Sequence, residues 1–322
     1  MMKRITIITI LCVLIVALSG CTTPSPTPAS PTATPAAQAG YPLTFTDFYG
    51  KTTTIDKQPE RLVSLSAANT EMLFALGLGS KIVGTDDYSD YPAEAKNITH
   101  VSGYSGVSYE KIMAINPDVI FVEDIVGEEA VTSLRDKGYK VVEVKNNNMT
   151  MIVENIKLMG KVTNTESNAT ALVNDINARM DAISAKTAGL NESQKPAVLL
   201  LAGYLSGQPI YVYGANTYGD DMIKLDGGIN AAGNITEYKV MSTEAIIAAD
   251  PDYIIIPVDG VMTTQSDFDH IKDGNESWMQ GLQAVKNGNV VKVEGSMMMH
   301  PGPRMPDAAM IIARAIHPEL FQ

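Results

Sequence analysis

SYEKIMAINPDVIFV at residues 108–122 and STEAIIAADPDYIII at residues 242–256 are two copies of one unit. Ser, Glu, Ile, Ala, Pro, Asp and Ile recur at the same seven of fifteen positions. In each copy the Ser is placed to cap a helix. Ile112 and Ile115 in the first copy, Ile246 and Ala249 in the second, follow at helical spacing. Pro117 and Pro251 stop the helix, because the residue before a proline is pushed out of the α region. Val119 to Val122 and Tyr253 to Ile256 then read as buried strands. Helix, tight turn and buried strand make half of a βαβ unit, and two copies predict two similar lobes.

More such units flank the repeats. Leu62 to Leu65 predicts a strand, Asn69 to Leu76 a helix, and Ile82-Val83 and Lys140 to Val144 further strands. In the second half Ala197 to Leu201 and Val290 to Val293 predict strands and Asp307 to Ile316 a helix. This alternation predicts an α/β fold of two doubly wound, Rossmann-like lobes. Between them, Thr150 to Lys186 has no Pro and one Gly, with Val153, Ile156, Met159, Leu172, Ile176, Met180 and Ile183 at helical spacing. The polar stretch Thr163 to Ser167 divides it into a shorter helix and a long, rigid one that joins the lobes. A ligand cleft is expected between the lobes. The expected boundaries are 41–148 for the N-terminal lobe, 149–188 for the connecting helices and 189–322 for the C-terminal lobe.

The start of the chain is of another kind. MMKR precedes an apolar run from Ile5 to Leu18, 14 residues long, and then Leu18-Ser19-Gly20-Cys21. A spanning helix needs roughly 20 apolar residues. Residues 1–20 therefore read as a cleaved secretory signal, with a retained anchor helix as the alternative. Thr22 to Ala39 holds Thr, Pro, Ser, Ala and one Gln, with Pro at 24, 26, 28, 31 and 35. Residues 21–40 read as an extended tether reaching roughly 55 Å. The only cysteines are Cys12 and Cys21, so no disulfide framework, thiol nucleophile or cysteine metal site is expected beyond the tether. The net charge is −12, or −14 without Lys3 and Arg4. An acidic body is a poor binder of nucleic acid, so none is expected as a partner. Six Asn-x-Ser/Thr sequons, at Asn97, Asn148, Asn168, Asn191, Asn234 and Asn275, fit an external surface.

RLVSLSAANTEMLFALGLGSKIVG at 61–84, YSDYP at 88–92, VSGYSGVSYEKIMAINPDVI at 101–120, GPR at 302–304 and HPELF at 317–321 together resemble the helical-backbone (class III) solute-binding lipoproteins of ABC importers. These are the iron-siderophore and cobalamin type. The resemblance covers nearly everything after residue 41. It implies an extracytoplasmic protein anchored to the outer face of the cell membrane through lipid on Cys21. It implies capture of a metal chelate (ferric siderophore, haem or corrinoid) and delivery to the transmembrane subunits of an ABC permease. It implies no cofactor beyond that ligand, and a monomer. One glutamate near a helix start on each lobe is implied to pair with permease arginines. Those positions are Glu110 and Glu244, the Glu of each repeat copy. Such a Glu is also stabilised by the helix dipole alone, which is the bland alternative.

Ligands of doubly wound sheets sit outside the carboxyl ends of strands. That rule, with the resemblance, selects Asn69, Tyr88, Tyr104, Tyr204, Tyr238, Met298, His300 and Arg304 as ligand-binding candidates. Aromatic rings suit a large, partly apolar chelate. In the same family cobalamin receptors carry tryptophans where Tyr104 and Tyr238 stand, and the only Trp here, Trp278, lies elsewhere. Met297-Met298-Met299-His300 reads either as a source of axial ligands or as apolar packing under the cleft. A free transition metal ion is the alternative ligand, although the histidines are scattered. An enzyme and a surface adhesion protein are the competing functions. Gly103-Tyr104-Ser105-Gly106 lacks the second spacer of a nucleophile elbow, and neither His-Glu-x-x-His nor a phosphate loop occurs.

Overall fold

The computed structural model describes residues 40–321. The signal, Cys21 and the tether up to residue 39 lie outside the described residues. In chain order the first lobe holds β1 (Leu43–Thr46), β2 (Thr52–Ile55), β3 (Leu62–Ser64), α1 (Ala67–Ala75), β4 (Ile82–Asp86), β5 (His100–Gly103), β6 (Gly106–Val107), α2 (Tyr109–Ile115), β7 (Val119–Glu123), α3 (Glu128–Asp136) and β8 (Val141–Val144). Two connecting helices follow, α4 (Met149–Thr163) and α5 (Glu166–Thr187). The second lobe holds β9 (Ala197–Leu200), β10 (Tyr211–Tyr213), α6 (Tyr218–Leu225), β11 (Ile229–Asn230), β12 (Tyr238–Val240), α7 (Thr243–Ala249), β13 (Tyr253–Val258), α8 (Gln265–Lys272), α9 (Gln283–Lys286), β14 (Val290–Glu294), α10 (Gly295–Met299) and α11 (Met305–Ile316).

The repeats are structural as well as textual. Ser108 Oγ accepts from the Lys111 amide and Ser242 Oγ from the Ala245 amide, so both helices start on the predicted caps. Both end on a left-handed residue before the proline, Asn116 at φ 44° and Asp250 at φ 37°. The aspartate after each proline then ties strand starts together. Asp118 accepts from the Glu60 and Arg61 amides at 2.9 and 3.0 Å, and Asp252 from the Ala197 amide at 2.8 Å. The strand that follows sits centrally in both sheets. The first sheet runs β6-β5-β4-β3-β7-β8 and the second β11-β9-β13-β14, parallel except for β6.

Alternate residues of these strands bury on opposite faces. Leu62, Val119, Phe121 and Val142 face one core, while Val63, Ile120, Val122 and Val141 face another that includes Ile112 of α2 and Leu134 of α3. Val198 and Ile255 against Leu199 and Ile254 do the same in the second lobe. Covering both faces explains why these strands are continuously apolar. One core is common to both lobes: it runs from Leu62 and Phe121 through Ile156 and Ile176 to Val198 and Ile255.

The connector carries that shared core. Asn148 caps α4, accepting from the Met151 amide, and Asn164 ends it in the left-handed region. At Gly160 a Cβ would lie 2.5 Å from Ala169 Cβ, so glycine lets α4 and α5 cross closely. At its start α5 donates from Asn168 to the Leu76 carbonyl of the first lobe, at 2.9 Å. At its end Thr187 donates to the Leu225 carbonyl of the second, at 2.8 Å. The antiparallel ribbon β10–β12 was not foreseen from the sequence. Nor was the helical turn α10, which carries Met297, Met298 and Met299.

Candidate functional site

The parallel strands bring loops from both lobes to their carboxyl ends, and large apolar side chains stand exposed on those loops. After β4 comes Tyr88, after β5 Tyr104 at 96 % exposure, and after β7 Ile125. In the second lobe Val261 and Met262 follow β13, and Tyr238 opens β12 at 37 % exposure. The Tyr88 and Tyr104 loops are neighbours: a Cβ on Gly103 would strike the Asp87 side chain. Exposed apolar groups gathered on one rim signal a ligand or partner surface.

Tyr238 is the exposed member of an aromatic group. Its ring meets Tyr213 edge-on at 5.0 Å, and Tyr213 meets Tyr218 at 5.2 Å. Tyr213 and Tyr218 donate to the Met298 carbonyl, which anchors the group to α10. Burial pushes the Tyr213 hydroxyl up to about 12. Burial also raises Tyr238, as do Tyr213 and the Glu123 and Asp124 carboxylates of the other lobe. Tyr238 is thus a neutral hydrogen-bond donor held near acids across the cleft.

Under the rim the lobes are pinned together. Arg304, just before α11, donates to both oxygens of Glu71 on α1, at 2.8 and 2.5 Å. It also reaches Ser296 Oγ at 3.1 Å and Glu294 at 3.3 Å, and its guanidinium lies 4.0 Å above the Tyr91 ring. Burial alone would lower the Arg304 pKa, but the Glu71 carboxylate outweighs it and holds the group charged. His300 Nδ1 lies 3.4 Å from Glu71 Oε1 without making a hydrogen bond. Behind them Thr70, Ser64, Ser89 and Asp86 form a buried polar chain. Burial raises Asp86, opposed by Ser89 and His300. Burial raises Glu123 too, while Ser66 and Asn146 favour its charged form. Among the described residues no three His, Cys, Asp or Glu side chains are grouped to hold a metal ion.

The eight ligand candidates therefore separate. Tyr88, Tyr104 and Tyr238 are exposed at the rim. His300 is partly exposed at the floor, and Arg304 is occupied by Glu71 rather than free. Asn69 is fully buried on α1, and neither side-chain atom is hydrogen-bonded. The Met298 side chain packs in the shared core. Tyr204 is buried inside the second lobe, its hydroxyl donating to Glu276 and its amide to Thr263. Glu123, Tyr213 and Tyr218 lie in strand-end segments that the carboxyl-end rule selects, though none was singled out, and Glu71 was not foreseen. An acid inside the apolar run of α1 was the one local sign of Glu71. Glu110 and Glu244 are exposed at equivalent positions of α2 and α7. Glu244 is held below the usual carboxylate range by backbone amides and Ser242 at the helix start.

Two doubly wound lobes bridged by helices, with a rimmed cleft, define the helical-backbone class of solute-binding proteins of ABC importers. The chain belongs to the periplasmic binding protein family, whose model matches residues 62–296. It is 29 % identical over 287 residues to the uncharacterized ABC transporter substrate-binding lipoprotein YvrC of Bacillus subtilis, covering 88 % of each chain. It is 27 % identical over 285 residues to a cobalamin-binding protein of Halobacterium salinarum, covering 86 % of this chain and 74 % of that one. Among solved structures, the periplasmic heme-binding protein RhuT of Roseiflexus sp. RS-1 superimposes with a TM-score of 0.69. It is 26 % identical, and the match covers 82 % of this chain and 99 % of that one.

Proposed function

We propose that this protein captures a metal chelate (a ferric siderophore, haem or corrinoid) outside the cell membrane and delivers it to an ABC permease. The observation that carries the reading is the rim of exposed aromatic and aliphatic side chains on carboxyl-end loops of both lobes. Flat rings bury the apolar body of a chelate while their hydroxyls meet its polar edge. The names of the relatives, for cobalamin and for heme, support the same class. Residues 41–148 and 189–322 are taken as the two lobes and 149–188 as the link. Lipid on Cys21 and the proline-rich tether would keep this monomer near the membrane, where a weak docking contact suffices. Glu110 and Glu244, one per lobe, offer matching charges to a two-subunit permease.

Titrating the purified protein with a ferric siderophore, haemin and a corrinoid, read by Trp and Tyr fluorescence, tests capture. Tyr104→Ala and Tyr238→Ala should each weaken binding of the bound chelate by ~1–3 kcal/mol, the scale of one ring stacking on a flat ligand. Wild-type affinity in both variants removes these rings from the site. Charge reversal at both Glu110 and Glu244 should leave that affinity intact and abolish permease-dependent uptake. Normal uptake by the double variant refutes the docking role.

A further inference from the structure

Met113 on α2 and Ile247 on α7 are large apolar side chains left in water, 68 % and 47 % exposed. They occupy the same position of the two repeat copies. From 109 to 116 and from 243 to 250 the order of buried, half-buried and exposed residues is identical. Each helix packs through one isoleucine, Ile112 or Ile246, on a core of its own lobe rather than on the shared one. Glu110 and Glu244 stand three residues before Met113 and Ile247, which puts acid and apolar group on one helix face. Ala114 and Ala248 follow on that face and are small. Neither Glu makes an ion pair among the described residues. Lys111 donates instead to the His100 carbonyl, at 2.9 Å. One exposed apolar residue is ordinary. Here the property recurs where the residue itself changes, and a β-branched Ile has no helix-forming advantage at an exposed position. Beside α7 the surface continues into an open groove of about 600 Å³, whose lining includes Val240, Ala245, Ala248 and Ala249.

We propose that Met113 and Ile247 are the apolar halves of two equivalent docking sites, each entering an apolar socket beside a basic side chain on one of the permease's two transmembrane subunits. This rests on the docking reading of Glu110 and Glu244 and deepens it, by naming what holds the complex once charge has brought it together. An exposed ion pair adds little affinity and sets encounter and register. Burying a Met or Ile side chain adds more, and acts on dissociation. A surface presented twice fits a partner that presents its own surface twice. A second copy of this chain fits less well, because two acidic helix faces of a protein of net charge −12 would meet.

The test uses right-side-out membrane vesicles, loaded with ATP, from cells that make the permease but lack this chain. Purified intact chain is added back with labelled ferrichrome, haemin or cyanocobalamin, whichever binds in the fluorescence titration. Met113→Ser and Ile247→Ser should each raise the half-saturating concentration of chain for uptake ~10-fold. Probe affinity and melting temperature should stay at wild type. The loss should be the same at low and high salt, unlike that of a Glu110 or Glu244 variant. Met113→Leu with Ile247→Leu should keep wild-type uptake. Wild-type uptake by Met113→Ser with Ile247→Ser, while Glu110→Lys with Glu244→Lys abolishes it, overturns this proposal and leaves the acidic contact standing. Normal uptake by both double variants refutes the docking reading and this one with it. A wild type that sediments as a dimer, made monomeric by the two Ser changes, overturns the proposal by giving the surface to a second copy.

Discussion

Asp226 caps the end of α6, fully buried, and neither of its carboxylate oxygens has a hydrogen-bond partner. Burial raises its pKa well above the usual value. The native chain therefore keeps this proton to a higher pH than the unfolded chain does. Below the ordinary carboxylate pKa, near 4, both states are protonated and nothing is lost. Above it the unfolded chain ionises first, and native stability falls as pH rises toward the raised value. Asp86 and Glu123 act in the same direction. Asp226→Asn removes the titrating group and should stabilise the protein near pH 8 relative to wild type by about 1 kcal/mol or more, through the lost linkage. The gain should shrink toward about pH 4. Thermal unfolding followed across that range checks it, and an equal gain at every pH contradicts it.

At the scale of the element, the two repeat copies make a matched pair of experiments. Asn116 and Asp250 both end their helices at positive φ, a conformation that costs an L-residue roughly 1–2 kcal/mol. Among the described residues the Asn116 side chain makes no hydrogen bond, whereas Asp250 Oδ1 accepts from the Gln283 amide at 2.9 Å. Asn116→Gly should raise stability by up to about 1 kcal/mol. Asp250→Gly should gain less or lose, because it frees the Gln283 amide. Chemical denaturation of the two variants reads the difference, and a larger gain at Asp250 would refute the account. The helix pair α4 and α5 is tested at its crossing. Gly160→Val places side-chain atoms against Ala169 and should cost about 1–3 kcal/mol in overpacking.

At the scale of the molecule, one apolar core runs through both lobes and the connector, and the Arg304–Glu71 pair closes the contact beneath the cleft. The described residues, 40–321, fall within one compact unit. Lobes that share a core lose it together, so denaturation should be a single transition. Trp278 fluorescence reports only the second lobe, whereas far-UV circular dichroism reports both. The two should coincide, and a separate earlier loss of half the ellipticity would show lobes that unfold on their own. Glu71→Gln removes one partner of the buried pair and should cost about 3–5 kcal/mol. Glu71→Leu with Arg304→Met should cost less than that single change, since no charge is then left alone.

The sequence by itself determined the lobes, the repeat and the helical link. Caps, proline stops and the periods of helix and strand act over a few residues, and Ser108, Pro117, Ser242 and Pro251 carry them openly. It also placed Tyr88 and Tyr104 on exposed loops, because the carboxyl ends of parallel strands follow from strand order, whereas Tyr238 opens a strand of the antiparallel ribbon. What only the tertiary structure decided is which polar groups spend their charge on one another. Glu71 and Arg304 lie 233 residues apart, and no local pattern announces a pair that forms between two lobes. Met298 and Tyr204 look like cleft residues along the chain, yet packing turns the first into the shared core and the second toward Glu276. Side-chain direction at a helix turn or loop is set by what folds against it, and that information is non-local.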